Sequence, residues 1–161
     1  MQYSIDPITQ HLTKILDPMN ILIIEDEPKC VRNLVRALDL AAVNYKLAGV
    51  VESVSDGVIF LSAPHEVDLI ISDIQIHEGL SFEIFRHAEV KIPVIFCTAF
   101  DMYNLENSVS VCLQYILKPF TTEAIKNVVE TALSCANMPA AKRNEKLYEY
   151  LDDVCKKLKA L

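Results

Sequence analysis

The feature that most narrows the fold of this chain is a series of short, nearly continuous apolar runs, each stopping at a polar signal. Ile21–Ile24 stops at Glu25-Asp26, the run from Val67 at Asp73, the run from Pro93 at Thr98, and Leu113–Leu117 at Lys118-Pro119. Such runs, rich in β-branched residues and lacking polar alternation, predict central parallel strands covered on both faces. Helical patterns lie between them from Asn20 to about Cys135. That alternation predicts βαβ units and one parallel sheet.

The expected elements follow in order. Strand Asn20–Glu25 leads into a helix with Val31, Leu34, Val35 and Leu38 at i, i+3, i+4 and i+7, and Pro28 in its first turn. Strand Lys46–Val51 precedes a helix opened by a Ser53-x-x-Asp56 capping box, running through Leu61 and closed by Pro64. Strand Val67–Ser72 is followed by a loop around Gln75–Gly79 and a helix turning Phe82, Ile84 and Phe85 inward. Strand Pro93–Thr98, a short helix near Met102–Val109 and strand Leu113–Leu117 complete the sheet. The last helix starts near Thr121, with Ile125, Val128, Val129, Ala132 and Leu133 on one face. Right-handed crossovers arrange this as a flavodoxin-like, doubly wound α/β fold, with five parallel strands in the order 2-1-3-4-5 and five helices.

At 161 residues the chain suits one domain with extensions. Residues 1–18 form an extension with a helical stripe of Ile5, Ile8, Leu12 and Ile15, and residues 19–136 form the body. Within 137–161, Asn137–Ala141 reads as a linker, and Leu147, Leu151, Val154, Leu158 and Leu161 repeat at heptad spacing. That stripe suits pairing with a partner or folding back on its own domain. No apolar stretch approaches the ~20 residues of a membrane span, and residues 1–18 lack a secretory signal, so a cytoplasmic location is expected. Five scattered cysteines without a Cys-x-x-Cys pair argue against a disulfide framework or zinc site, and four scattered histidines against a histidine metal site. A net charge of −7 argues against a chain that grips a phosphate backbone by itself.

The strand order sets the ends of the first and third strands side by side, so Glu25, Asp26 and Asp73 crowd together. Three carboxylates repel unless a hard cation joins them, and Mg²⁺ is the expected occupant, with the Gln75 backbone carbonyl completing the set. Asp73, alone at the end of the middle strand, is the candidate nucleophile for an aspartyl phosphate. Mg²⁺, the Lys118 ammonium and the Thr98 hydroxyl would then each cover one phosphoryl oxygen. His77, four residues after Asp73, reads either as a proton-transfer or relay group or as an exposed loop histidine. Phe100 stands two residues beyond Thr98, where an apolar ring would exclude water and slow self-dephosphorylation.

These residues resemble the receiver domain of two-component response regulators over about Met19 to Ala136. The resemblance rests on Ile23-Ile24-Glu25-Asp26-Glu27-Pro28, Asp68–Gln75, Pro93–Ala99 and Tyr115-Ile116-Leu117-Lys118-Pro119-Phe120. Thr98-Ala99-Phe100-Asp101-x-Tyr103-x-Leu105 and the Tyr115–Phe120 run resemble the LytR/AlgR group, whose receivers usually precede a LytTR DNA-binding domain. The resemblance implies that Asp73 is the phosphoacceptor, Glu25 and Asp26 are metal acids, Lys118 contacts phosphate, and Thr98 with Tyr115 forms a switch. It implies a sensor histidine kinase as donor, and DNA contact only through an effector domain outside these residues. A homodimer through the C-terminal helix or the fourth-helix to fifth-strand face is expected. Ile76-His77 replaces the usual Met-Pro and Ser81 the usual Gly, which predicts a differently shaped loop, while Ser108 and Gln114 alter the dimer face.

The leading reading is therefore a phosphorylation-controlled switch rather than a metabolic enzyme. One alternative is a phosphate-independent dimerisation scaffold built on the heptad helix. A second is an aspartyl-phosphate hydrolase, which needs an acid two residues after its nucleophile, where this chain has Gln75.

Overall fold

The computed structural model describes residues 17–99 and 113–135, together with 149, 152, 153, 155 and 156. Its strands are β1 Met19–Ile24, β2 Tyr45–Val51, β3 Leu69–Ser72, β4 Gln75–Ile76, β5 Gly79–Leu80, β6 Val94–Thr98 and β7 Leu113–Leu117. The described helices are α1 Pro28–Leu40, α2 Val54–Ser62, α3 Phe82–His87 and α4 Thr122–Ser134. The five-stranded sheet is parallel throughout and ordered β2-β1-β3-β6-β7. Because β4 and β5 form a separate two-stranded hairpin, this is the expected 2-1-3-4-5 order.

Two apolar layers explain the continuous runs. One face of the sheet packs Leu22, Ile24, Ile70 and Phe96 against Leu61 of α2 and Phe82, Ile84 and Phe85 of α3. The other packs Ile21, Ile23, Ile71, Ile95 and Cys97 against Leu34 and Leu38 of α1 and Ile125, Val129 and Ala132 of α4. Alternate residues of each strand thus bury in opposite layers, which leaves no polar face to read in the sequence.

The helix starts follow local chemistry. Ser53 caps α2 by accepting from the Asp56 amide at 3.1 Å, and its hydroxyl donates to the Asp56 carboxylate at 2.9 Å. Thr121 caps α4 from the Ala124 amide at 3.1 Å, and Pro28 opens α1. Gly57 of α2 lies so close to α3 that a Cβ there would meet Ile84 Cγ1 at 2.9 Å and its Cδ1 closer still.

Three expectations are corrected. Leu133 is 43% exposed, because the buried face of α4 runs through Ile125, Val129 and Ala132 and Leu133 lies about 70° from its centre. The loop at Gln75–Gly79 is a hairpin, pairing Gln75 with Leu80 and Ile76 with Gly79 around a turn with Glu78 at φ 75° and Gly79 at φ 140°. Strands β3 and β6 begin at Leu69 and Val94, inside the expected Val67 and Pro93 starts; Pro93 has no amide to give and contributes its carbonyl to Ile70 instead. The helix expected at Met102–Val109, Phe100, the 137–141 linker and the heptad leucines lie outside the described residues. Nearby, Cys155 is 6% exposed and belongs to the α2–α3 layer, and Asp152 pairs with Arg86 of α3 at 3.3 Å. None of the described helices is long and apolar enough to cross a membrane.

Candidate functional site

Parallel pairing delivers the polar signals to one edge. The Asp73 amide donates to the Ile24 carbonyl at 2.8 Å, which ties the end of β3 to β1, and the Glu25 amide donates to the Val51 carbonyl at 2.9 Å. On the far side the Lys118 amide donates to the Thr98 carbonyl at 2.8 Å, at the register where Thr98 pairs with Leu117. This carboxyl edge is where open α/β sheets place ligands.

The centre of the site is Lys118. Its Nζ lies 2.6 Å from Glu25 Oε2 and 2.7 Å from Asp73 Oδ2, so a single ammonium bridges the ends of β1 and β3. Asp73 Oδ1 accepts from the Ile74 amide at 2.6 Å, and Glu25 Oε1 accepts from the Glu27 amide at 3.1 Å. Every oxygen of the two carboxylates is therefore engaged, and each keeps a second lone pair. Burial disfavours charge on both partners, but for Lys118 the hydrogen bonds of Asp73 and then Glu25 prevail and hold its pKa above the usual range. For Glu25 burial prevails over Lys118 and the Glu27 amide, and its pKa rises above 4.5. The Lys118–Pro119 bond that follows is cis.

Asp26 stands beside this pair rather than in it. Its Oδ2 is 3.4 Å from Nδ1 of His77, whose side chain is 71% exposed. His77 is thus a surface residue, but it is aimed at a predicted metal acid. The hairpin presenting it is fixed to α2: the His77 carbonyl accepts from Val54 N at 3.2 Å, and Glu78 Oε2 takes Ser55 N and Oγ at 2.8 and 2.7 Å. Those bonds hold the Glu78 carboxyl below its usual pKa. No sequence pattern marked Glu78, because the contact joins residues 23 apart.

Thr98 is wholly buried at the end of β6. It shares a sheet face with Phe96, whose register partner on β7 is Tyr115, and Tyr115 packs partly buried against the α2–α3 layer. Threonine and tyrosine thus lie on one face of neighbouring strands. Gln75 is exposed on β4. A cleft of about 430 Å³, lined by Cys30, Asn33, Arg36, Lys118 and Phe120 among others, opens between α1 and the Lys118-Pro119 turn.

The donors available for a cation are hard carboxylate oxygens, which suits Mg²⁺ better than a soft metal. Among the described residues no three His, Cys, Asp or Glu side chains converge on one point. The expected crowding of three acids is therefore corrected: Lys118 bridges Glu25 and Asp73, and Asp26 lies beside them against His77.

A doubly wound sheet with acids on one strand end, an acid on the next and a lysine opposite defines a class of phosphate-handling signalling modules. Residues 21–130 match the response regulator receiver domain family, and the chain belongs to it. Receiver domains are signalling switches of two-component phosphorelays and generally take Mg²⁺ at the phosphorylation site. The fold is similar to the Erythrobacter litoralis PhyR receiver domain, at 26% identity over 78% of this chain and 97% of that one, with a TM-score of 0.58. It is also similar to the response regulatory domain of mrkE from Klebsiella pneumoniae, at 22% identity over 75% and 100% of the two chains (TM-score 0.60). The signal receiver domain of NarL from Mycobacterium tuberculosis matches at 20% identity over 76% and 99% (TM-score 0.58). No curated protein matches the chain.

Proposed function

We propose that Asp73 accepts a phosphoryl group from a partner sensor histidine kinase and that this drives a conformational switch. The observation carrying the proposal is the Lys118 ammonium set 2.7 Å from Asp73 and 2.6 Å from Glu25 at the sheet's carboxyl edge. An Asp73 oxygen attacks phosphorus, a P–O bond forms as the donor's P–N bond breaks, and the electron pair leaves with the imidazole nitrogen, which takes up a proton. Negative charge passes from the carboxylate to the phosphoryl oxygens, and Lys118 follows it. Glu25, Asp26, Asp73 and the Gln75 carbonyl would hold Mg²⁺, which would supply positive charge to neutralise one of those oxygens. The Thr98 hydroxyl binds another, and its movement frees space into which Tyr115 turns, biasing an existing equilibrium.

The cleft between α1 and the Lys118-Pro119 turn would offer a donor protein a surface beside Lys118. Output through a LytTR domain, and so control of transcription, rests on the likeness of Thr98–Leu105 and Tyr115–Phe120 to the LytR/AlgR group. Dimerisation, through the C-terminal helix or through the face of the helix expected at 102–109 and β7, belongs to the same reading, as does work in the cytoplasm.

The test is incubation with Mg²⁺ and a small-molecule phosphodonor followed by intact mass measurement, with Asp73→Asn in parallel. The native chain is expected to gain one phosphoryl group and the variant none. A folded native chain that gains nothing refutes the proposal.

A further inference from the structure

Cys155 is 6% exposed and joins the same apolar layer as Phe82, Phe85, Val90 and Phe96, although it lies far beyond the end of α4 in sequence. Arg86 of α3 marks where that segment lands. Its guanidinium lies 3.1 Å from Glu83 Oε1, 3.3 Å from Asp152 Oδ1 and 3.6 Å from Cys155 Sγ. We propose that the segment bearing Asp152 and Cys155 is a strap closed on α3 of its own domain, and that loading of Asp73 releases it. The release rests on the phosphoacceptor function proposed above; the closure does not.

Among the described residues, two contacts of unequal size hold the strap. The Arg86–Asp152 pair is exposed, with Asp152 at 67%, and exposed pairs contribute little. Of these two, burial of the Cys155 thiol, a small apolar group, is the larger. The ion pair therefore sets position, and the thiol sets strength.

The same layer connects the strap to the site. Phe96 meets Phe82 edge-on at 5.2 Å and Phe85 at 5.8 Å, and Phe96 is both two residues before Thr98 and opposite Tyr115. Movement of Thr98 and Tyr115 repacks Phe96, and Phe96 is in contact with the α3 rings beneath the strap. A packed layer answers such a shift by changing between discrete arrangements rather than by deforming smoothly. The strap is the element with two states, open and closed, and both Asp73 and α3 bias it.

The proposed occupant is the chain's own C-terminal segment, whose Asp152 lies 3.3 Å from Arg86 of the same chain.

The test follows modification of Cys155 in the full chain by N-ethylmaleimide, mapped peptide by peptide so that the other cysteines do not interfere. In the resting chain Cys155 is expected to react at least about tenfold more slowly than in urea, independent of protein concentration. Arg86→Glu, which sets like charges face to face, is expected to speed it about threefold; Asp152→Ala, at an exposed position, guards against a misfolded Arg86 variant. Mg²⁺ with a small-molecule phosphodonor is expected to speed it about tenfold, in chains whose mass shows one added phosphoryl group. A resting rate equal to that in urea overturns closure, and protection that fades on dilution overturns the intramolecular occupant. An unchanged rate in phosphorylated chain overturns release. A chain that takes up no phosphoryl group removes the site reading and release together, while slow resting modification still identifies the closed strap.

Discussion

Lys118 shows how one side chain can hold a site of like charges together. It is 18% exposed between carboxylates at 6% and 15%, so removing its charge leaves two acids facing each other with little water. Lys118→Met is expected to cost about 2 kcal/mol near neutral pH in metal-free buffer, below the full penalty of a wholly buried pair because the group is partly exposed. The sign of the pH dependence follows from Glu25, whose folded pKa is already raised above 4.5 by burial. A raised acid stabilises the fold fully below its unfolded pKa and loses that contribution as pH rises through the folded value. Losing Lys118 raises Glu25 further, so the variant's deficit shrinks as pH falls; urea unfolding at about pH 7.5 and about pH 5 measures it, and a constant deficit refutes the argument. Ser81 offers the opposite case. Its hydroxyl is buried with no hydrogen-bond partner among the described residues, and its backbone, at φ −57° and ψ −20°, needs no glycine. Ser81→Ala is expected to stabilise by about 1 kcal/mol, read as a higher unfolding midpoint. The sequence marked position 81 only as a departure from the family, since whether a hydroxyl finds a partner depends on neighbours distant in sequence.

Among the elements, the β4–β5 hairpin and α2 behave as one unit. Ser53 caps α2 from within, while Glu78 binds the Ser55 amide from the hairpin tip, so two carboxylates, Asp56 and Glu78, serve the helix start where the dipole favours negative charge. On its inner side α2 approaches α3 at Gly57. Gly57→Ala gains helix propensity but forces its methyl onto the buried Ile84, and the two effects leave a net loss of about 1 kcal/mol. Thermal unfolding checks this, and a rise in midpoint would show that Ile84 yields without cost. The capping box, the α1 face and the α4 face apart from Leu133 were legible because they are local: a capping box reads four residues and a helix face about seven. The hairpin was not, because Gln75–Leu80 carries no alternating apolar pattern and its pairing is stabilised by contacts to α2.

For the molecule as a whole, the proposed binding of a cation by carboxylates at one sheet edge is expected to couple stability to that cation. Excess Mg²⁺ that binds only the folded chain, at about 100 times its dissociation constant, adds about 2.7 kcal/mol. For a chain of this size that is a rise of roughly 5 to 10 °C in midpoint. Asp26→Asn is expected to abolish most of the rise, and an equal rise in the variant would show that Asp26 is not a ligand. The order of strands and the identity of Glu25, Asp26, Asp73, Thr98 and Lys118 as edge residues came from the sequence, because continuous apolar runs and the polar residues that stop them are local patterns. Handedness of the crossover then leaves one sheet order for that pattern. Tertiary structure alone decided the rest: Lys118 spanning 93 residues to Glu25, His77 turned toward Asp26, and Cys155 buried beside Arg86. These contacts join groups far apart in the chain, so their geometry is set by how the layers pack, and no periodicity in the sequence carries it.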